Sequence, residues 1–247
     1  MSLGKLYGVG VGTGSPDLMT LRSVNVLNSV DVLAIPRRNK YSKSVAWRIA
    51  EPNVNENEGQ ERLFLEFPMT KDVTVLEPAW AIAMAEIGQR LLEGKSVAFI
   101  CEGDPLFFST FGYMKDKVEV AHPDVEIEVV PAVCCITAVP SVLNKTIADG
   151  QERVAVVPAS YGLDVLPAIF KLFDTIMLMK VSSVMPEIVT LLEQENLLDN
   201  AVYVSKATME GQTIITDLTT IKNDKCDYFS MVMIKKYDRA GILKGKK

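Results

Sequence analysis

Four glycines stand on alternate positions in YGVGVGTGSPD, Tyr7 to Asp17: Gly8, Gly10, Gly12 and Gly14. Without a Cβ, such residues take positive φ and let a ligand or a second chain segment come close to the backbone. A later stretch, CEGDPLFFST, sets Gly103, Asp104 and Pro105 directly after the apolar run VAFIC. Glycine there permits a sharp turn, aspartate supplies an acceptor and proline fixes φ. An ordinary turn explains Gly-Asp-Pro as readily as a binding loop does. Gly12 and Gly14 fall past the first apolar run, where they can face a ligand, whereas Gly8 and Gly10 read as packing beneath a site.

Phosphate binding is the first chemistry such glycines suggest, and its patterns fail. In G-x-G-x-x-G the last glycine would fall on Thr13, Ser15 or Asp17, and the acid expected at the end of the second strand is missing, since Asp31 opens that strand and Pro36 closes it. Gly94-Lys95-Ser96 has the tail of a Walker A loop, but its leading glycine is replaced by Gln89, so it reads as a helix C-terminal glycine and a turn. Metal and triad chemistry lack material. Cys101, Cys134, Cys135 and Cys226 form no C-x-x-C pair, and adjacent Cys134 and Cys135 are poorly placed to bridge or to share a metal. The single histidine, His122, precedes Pro123 in a polar turn and is expected at the surface.

A net charge of −5 argues against non-specific nucleic-acid binding, which needs clustered cations. Locally the balance reverses. VLAIPRRNKYSKSVAWRIA, Val32 to Ala50, carries Arg37, Arg38, Lys40, Lys43 and Arg48 and no acid, with Asp31 and Glu51 on either side. A solvated face and an anion-binding rim are both consistent with that pattern.

The elements that must hold these stretches follow from apolar periodicity. KLYGVGV, DVLAI, VAFIC and VEIEVV have strand length, and helices are expected at about Thr20 to Ser29, from about Ser44, over Asp72 to Glu93 and near Ser109 to Val118. Such alternation implies a largely parallel sheet with helices on both faces, an α/β fold whose ligands bind at the carboxyl ends of the strands. Polarity rises over Asn144 to Glu152, so the chain divides there into residues 1–144 and 145–247. In the second part RVAVVPA, TIMLMK, AVYVSK, TIITDL and YFSMVMIKK read as strands, with helices at about Val165 to Leu172 and Met185 to Glu195. The last strands follow one another directly, which predicts a mixed sheet. No segment has the run of about 18 apolar residues a membrane span needs, and MSLGKLYG lacks a secretory pattern, so a cytoplasmic protein without a membrane partner is expected.

Taken together and in order, VGVGTGSPDLMTLRSVNVLNSVDVLAIP, CEGDPLFFSTF and EVVPAVCCITAVPSVLN resemble the tetrapyrrole (corrin/porphyrin) methyltransferase family over nearly the whole chain. The resemblance implies two α/β domains with S-adenosylmethionine in the cleft between them, S-adenosylhomocysteine as product, a tetrapyrrole substrate and a homodimer. FPMTKDVTVLEPAW and EGDPLFFSTF are similar to the branch that methylates carbon-20 of precorrin-2 or its cobalt-bearing form on the route to cobalamin. Alternatives are another tetrapyrrole carbon, an RNA or elongation-factor substrate on the same fold and, more distantly, a nucleotide-binding module without catalysis.

Residue by residue, the family's first loop falls on Gly10 to Ser15, with Thr13 in place of its usual proline and Ser15 in place of its acid. The acidic loop matches at Gly103, Asp104 and Pro105, and implies cofactor contacts at Gly103, Asp104 and Phe107. The next motif reads Pro131-Ala132-Val133-Cys134-Cys135, so thiols at Cys134 and Cys135 replace small hydroxyl residues and are weaker donors. Met179 and Ala207 are the contacts implied from the second domain. Methyl transfer from a sulfonium to an electron-rich carbon is chiefly a positioning problem, so no side chain is assigned as a general base. A substrate bearing acetate and propionate groups gives the basic stretch a use, and Arg22, Arg37, Arg38 and Lys40 are the cations expected to pair its carboxylates, with Lys43 and Arg48 beside them.

Overall fold

A computed structural model describes residues 3–70 and 72–237. The chain forms two compact units, residues 1–134 and 135–247, dividing ahead of the polar Asn144 to Glu152 stretch. In the first unit β1 (Leu6–Gly10), α1 (Leu21–Leu27), β2 (Val32–Arg37), α2 (Val45–Ala50), β3 (Glu61–Glu66), α3 (Val73–Leu92), β4 (Val97–Cys101), α4 (Phe111–Ala121) and β5 (Ile127–Val130) alternate along the chain. The strands form one sheet in the order β3-β2-β4-β1-β5, parallel throughout.

Apolar runs buried on both sides explain why this sheet is parallel. Leu33, Ile35, Ala98 and Ile100 pack with Val26, Leu27, Trp47 and Ile49 of α1 and α2. Their neighbours Val32, Ala34, Val97, Phe99 and Cys101 face the other way, onto Ile87, Leu91, Phe111 and Met114 of α3 and α4. Each helix is fixed at its start where the sequence supplies a cap: Thr20 accepts from the Ser23 amide, Ser44 from Trp47 and Asp72 from Thr74. β3 was not among the expected strands. Its ERLFLE alternates exposed residues with partly buried Glu61 and Leu63 and buried Leu65 at the sheet edge, and lacks the apolar run used to find the others.

The second unit comprises α5 (Cys135–Leu143), β6 (Val154–Pro158), α6 (Leu166–Leu172), β7 (Thr175–Met179), α7 (Met185–Gln194), β8 (Ala201–Ser205), β9 (Thr213–Ile215) and β10 (Ser230–Lys235). Its sheet runs β6-β7-β10-β8-β9, with β6 and β7 parallel and the remaining pairs antiparallel, so it is mixed. Helices α6 and α7 cover one face through Leu166, Phe170, Ile188 and Leu192. Val139 of α5 covers the other, against Met177, Val202, Val204, Met231 and Met233. α5 was also missed. CITAVPSVL is rich in β-branched residues and contains Pro140, features that lower helix propensity but are overridden here by burial of Ala138, Val139 and Pro140.

Candidate functional site

The two sequence loops meet through their backbones. Past the end of β1 the Val11 amide donates to the Cys101 carbonyl at 2.9 Å, and the Gly103 amide donates to the Gly12 carbonyl at 2.8 Å. Gly12 and Gly103 thus form an antiparallel bridge, with φ of 82° and 68°. That left-handed backbone suits glycine. A Cβ at Gly103 would meet nothing within 4 Å, so bare backbone faces open space at this point. Gly8 and Gly10 play the packing part. A Cβ on Gly8 would stand 2.3 Å from the Phe111 ring, and one on Gly10 2.5 Å from the Ala132 Cβ and 2.7 Å from the Gly103 carbonyl oxygen. Ser23 of α1 donates to the Gly10 carbonyl at 2.8 Å and ties the strand end to that helix.

Asp104 is a brace. One carboxylate oxygen accepts from the Leu106 amide at 3.0 Å, the other from the Ala132 amide at 3.1 Å, so the loop after β4 is fastened both to itself and to the loop after β5. Phe107 is partly buried, with its ring edge-on to Phe108 at 4.9 Å. Phe108 is exposed and has φ of 51°, strained for a bulky residue. Thr13 is buried and Ser15 hydrogen-bonds Asp17. Burial pushes the Cys101 thiol up to about 12, so it is an inert packing group.

In the second unit the structure brings three predicted residues onto one apolar cluster. Cys135, Met179 and Ala207 all pack against the group containing Met177, Val202, Val204 and Met231. β10 runs antiparallel between β7 and β8 and pairs Met231 with Met179, which sets Met179 and the residues after β8 at the same end of those strands. Lys180, Lys206 and Thr208 all take positive φ just beyond these strands, a local strain of the kind found at binding edges. Cys134 is partly buried at the end of the first unit.

The cations divide into two groups. Arg22 donates to Glu128 through Nε and one terminal nitrogen, at 3.1 and 2.5 Å, and Lys5 reaches the same carboxylate at 2.9 Å. Arg22 and Lys5 together hold the Glu128 carboxyl below the usual carboxylate range. Arg37 pairs with Glu66 at 3.2 Å, donates to the Lys40 carbonyl and lies over the Phe64 ring. Its Nε is enclosed, with no hydrogen-bond partner among the described residues. Arg38, Lys40, Lys43 and Arg48 are exposed, with the Lys40 ammonium over the Tyr41 ring. His122, expected at the surface, is instead half-buried in a groove of about 520 Å³ between α3 and the end of α4, beside Gly88, because the glycine leaves room for its ring.

Sequence reasoning passed over Glu102. It stands between Cys101 and Gly103, is partly buried, and burial pushes its carboxyl up to about 7 against the opposing field of Arg48. A charged residue ending an otherwise apolar strand was the available signal. No helix among the described residues is long and apolar enough to cross a membrane.

Two α/β units, with a bridged pair of glycine and aspartate loops at the carboxyl ends of a parallel sheet, define an α/β fold whose binding edge lies at those loops. The family model of the Tetrapyrrole (Corrin/Porphyrin) Methylases matches residues 5–222, and the chain belongs to that family and is a methyltransferase enzyme. It is 32% identical over 237 residues, 95% of this chain and 97% of the relative, to a protein of Methanocaldococcus jannaschii named probable cobalt-precorrin-2 C(20)-methyltransferase. It is 30% identical, over 94% of this chain and 97% of the relative, to the cobalt-precorrin-2 C(20)-methyltransferase of Salmonella typhimurium. Among solved structures, the uroporphyrin-III C-methyltransferase of Thermus thermophilus in complex with S-adenosylhomocysteine is similar in fold, with a TM-score of 0.67 at 16% identity over 94% of this chain and 92% of that one.

Proposed function

We propose that this chain transfers the methyl group of S-adenosylmethionine to carbon-20 of precorrin-2 or its cobalt-bearing form, in corrin biosynthesis. The observation that carries the reading is the Gly12 to Gly103 bridge with open space over Gly103, in a chain of this family. Bare backbone there fits a donor whose amino-acid part needs amide and carbonyl partners, and the brace at Asp104 keeps that surface in shape without a moving part. S-adenosylmethionine supplies an activated methyl group, and the protein supplies position.

In this reading Thr13, Gly103, Asp104, Phe107 and Cys134 are the first unit's cofactor residues, and Cys135, Met179 and Ala207 are the second unit's. Cys135, Met179 and Ala207 already share one cluster, which supports that assignment. For the substrate, exposed Arg38 and Lys40 are ready to pair carboxylates. Arg22 and Arg37 would have to release Glu128 and Glu66 first, so their part is to hold the rim and its field. The Methanocaldococcus jannaschii and Salmonella typhimurium relatives both carry names with cobalt, which favours the cobalt-bearing ring as substrate. The same reading makes the protein a cytoplasmic homodimer without a nucleic-acid partner.

Anaerobic incubation with S-adenosylmethionine and either ring, followed by mass and NMR location of the added methyl, tests the proposal. A single methyl at carbon-20 is expected. A methyl at another ring carbon, or none with either ring, contradicts it.

A further inference from the structure

Methylation of a meso carbon that bears hydrogen releases a proton, and a base must take it. The identity of that base rests on the carbon-20 reading above. Ring π electrons form the carbon–carbon bond to the methyl group, the carbon–sulfur bond breaks with its electron pair left on sulfur, and the sulfonium becomes a neutral thioether. The positive charge passes to the ring. Neutrality returns when the C20–H bond gives its electron pair to the ring and the proton leaves to a base.

Glu102 is mounted for that task. Both its chain neighbours are fastened to the glycine loop, Cys101 by accepting from the Val11 amide and Gly103 by donating to the Gly12 carbonyl. β4 places Ile100 in the cluster on the α1 and α2 side and Cys101 in the cluster on the α3 and α4 side, and Glu102 follows directly in the bend after the strand. The charge of Arg48, on α2, acts on it. β2 pairs with β4 in the sheet, and the segment from β2 to α2 carries Arg38, Lys40 and Lys43. The cations suited to the substrate's carboxylates and the Glu102 carboxyl therefore follow the carboxyl ends of two adjacent parallel strands. Asp104, two positions on, has both oxygens occupied by amides. Glu102 has no hydrogen bond or ion pair among the described residues, so bracing the loop is not its role.

We propose that Glu102 accepts the C20 proton as the methyl group is transferred. Its burial suits it to the work, because a carboxyl that ionises near neutrality is a far stronger base than an exposed one and still exists as carboxylate at pH 7.5 and above. A cation brought beside it, a sulfonium included, favours the carboxylate further.

The full-length protein with S-adenosylmethionine and the ring substrate provides the test. Glu102→Gln keeps size and shape, and should lower kcat by about a hundredfold or more while leaving S-adenosylhomocysteine affinity, measured by calorimetry, within about threefold. Glu102→Asp should recover part of the rate. Wild-type kcat/KM should fall about tenfold per pH unit below about pH 7, and Glu102→Gln should lose that limb. Wild-type kcat in Glu102→Gln, with the pH limb intact, overturns the assignment. Should the variant not fold, the wild-type profile decides, since a flat line from about pH 5.5 to 8.5 overturns it equally. The reading and the assignment fail separately: a wild-type product methylated elsewhere sinks the former, whereas a C20 product made as fast by Glu102→Gln sinks the latter alone.

Discussion

The Asp104 carboxylate accepts a hydrogen bond from the Ala132 amide, 3.1 Å away, and so joins the loop after β4 to the loop after β5. Asp104 is the centre of the Gly-Asp-Pro motif, and Ala132 lies in the Pro131 to Cys135 motif, the two stretches from which first-unit cofactor contacts were expected besides Thr13. Replacing Asp104 with alanine leaves the part-buried Ala132 amide without its acceptor, which costs about 1–3 kcal/mol, while water can take over at the exposed Leu106 amide. Asp104→Ala should therefore weaken S-adenosylhomocysteine binding about tenfold or more, as calorimetry would read.

Glycine substitutions should separate packing from conformation. Gly10→Ala forces a methyl against the Ala132 Cβ and the Gly103 carbonyl, and should destabilise the protein by about 1–3 kcal/mol in urea unfolding. Gly112 is the control. It lies in α4, and a methyl there would meet nothing within 4 Å, so Gly112→Ala should stabilise by roughly 0.5–1 kcal/mol.

Charge reversal should distinguish the free cations from the paired ones. Arg38→Glu should raise KM for the ring about tenfold and leave cofactor affinity unchanged, with an effect that shrinks as salt rises. Arg37→Ala removes the contact with Glu66 and the cover over Phe64 and should show chiefly as lost stability. Equal KM effects from both variants would contradict the division.

Stability should carry the signature of Glu102. Its carboxyl is raised from 4.5 to about 7 on folding, so between those values the folded state binds more protons than the unfolded state. Stability contributed by the neutral form is present below about pH 4.5 and is lost as pH rises through about 7. Glu102→Gln should then be more stable than wild type at pH 8, on the order of 2 kcal/mol, and nearly equal at pH 4.5. Paired urea titrations at the two values check this.

Much of the fold was legible because its strands are buried on both faces: VAFIC and DVLAI can hardly be anything but central parallel strands. β3 and α5 were not, for opposite reasons. β3 is an edge strand that keeps Arg62 and Glu66 in solvent, and α5 is a helix made by tertiary burial of a sequence with poor propensity and an internal proline. At the site, the backbone role of Gly12 and Gly103 could be read from glycine spacing and strand ends. The pairing of Arg22 with Glu128 and of Arg37 with Glu66 could not, since both partners are distant in sequence. Glu102 directly precedes the Gly-Asp-Pro turn, yet its raised basicity comes from neighbours that only folding supplies.

In the proposed function the bridged loops at Gly12 and Gly103 seat the methyl donor. A crystal structure with S-adenosylhomocysteine tests it most directly. The ligand's amino-acid part is expected against Gly103 and Asp104. Clear density for the ligand away from both loops would contradict it.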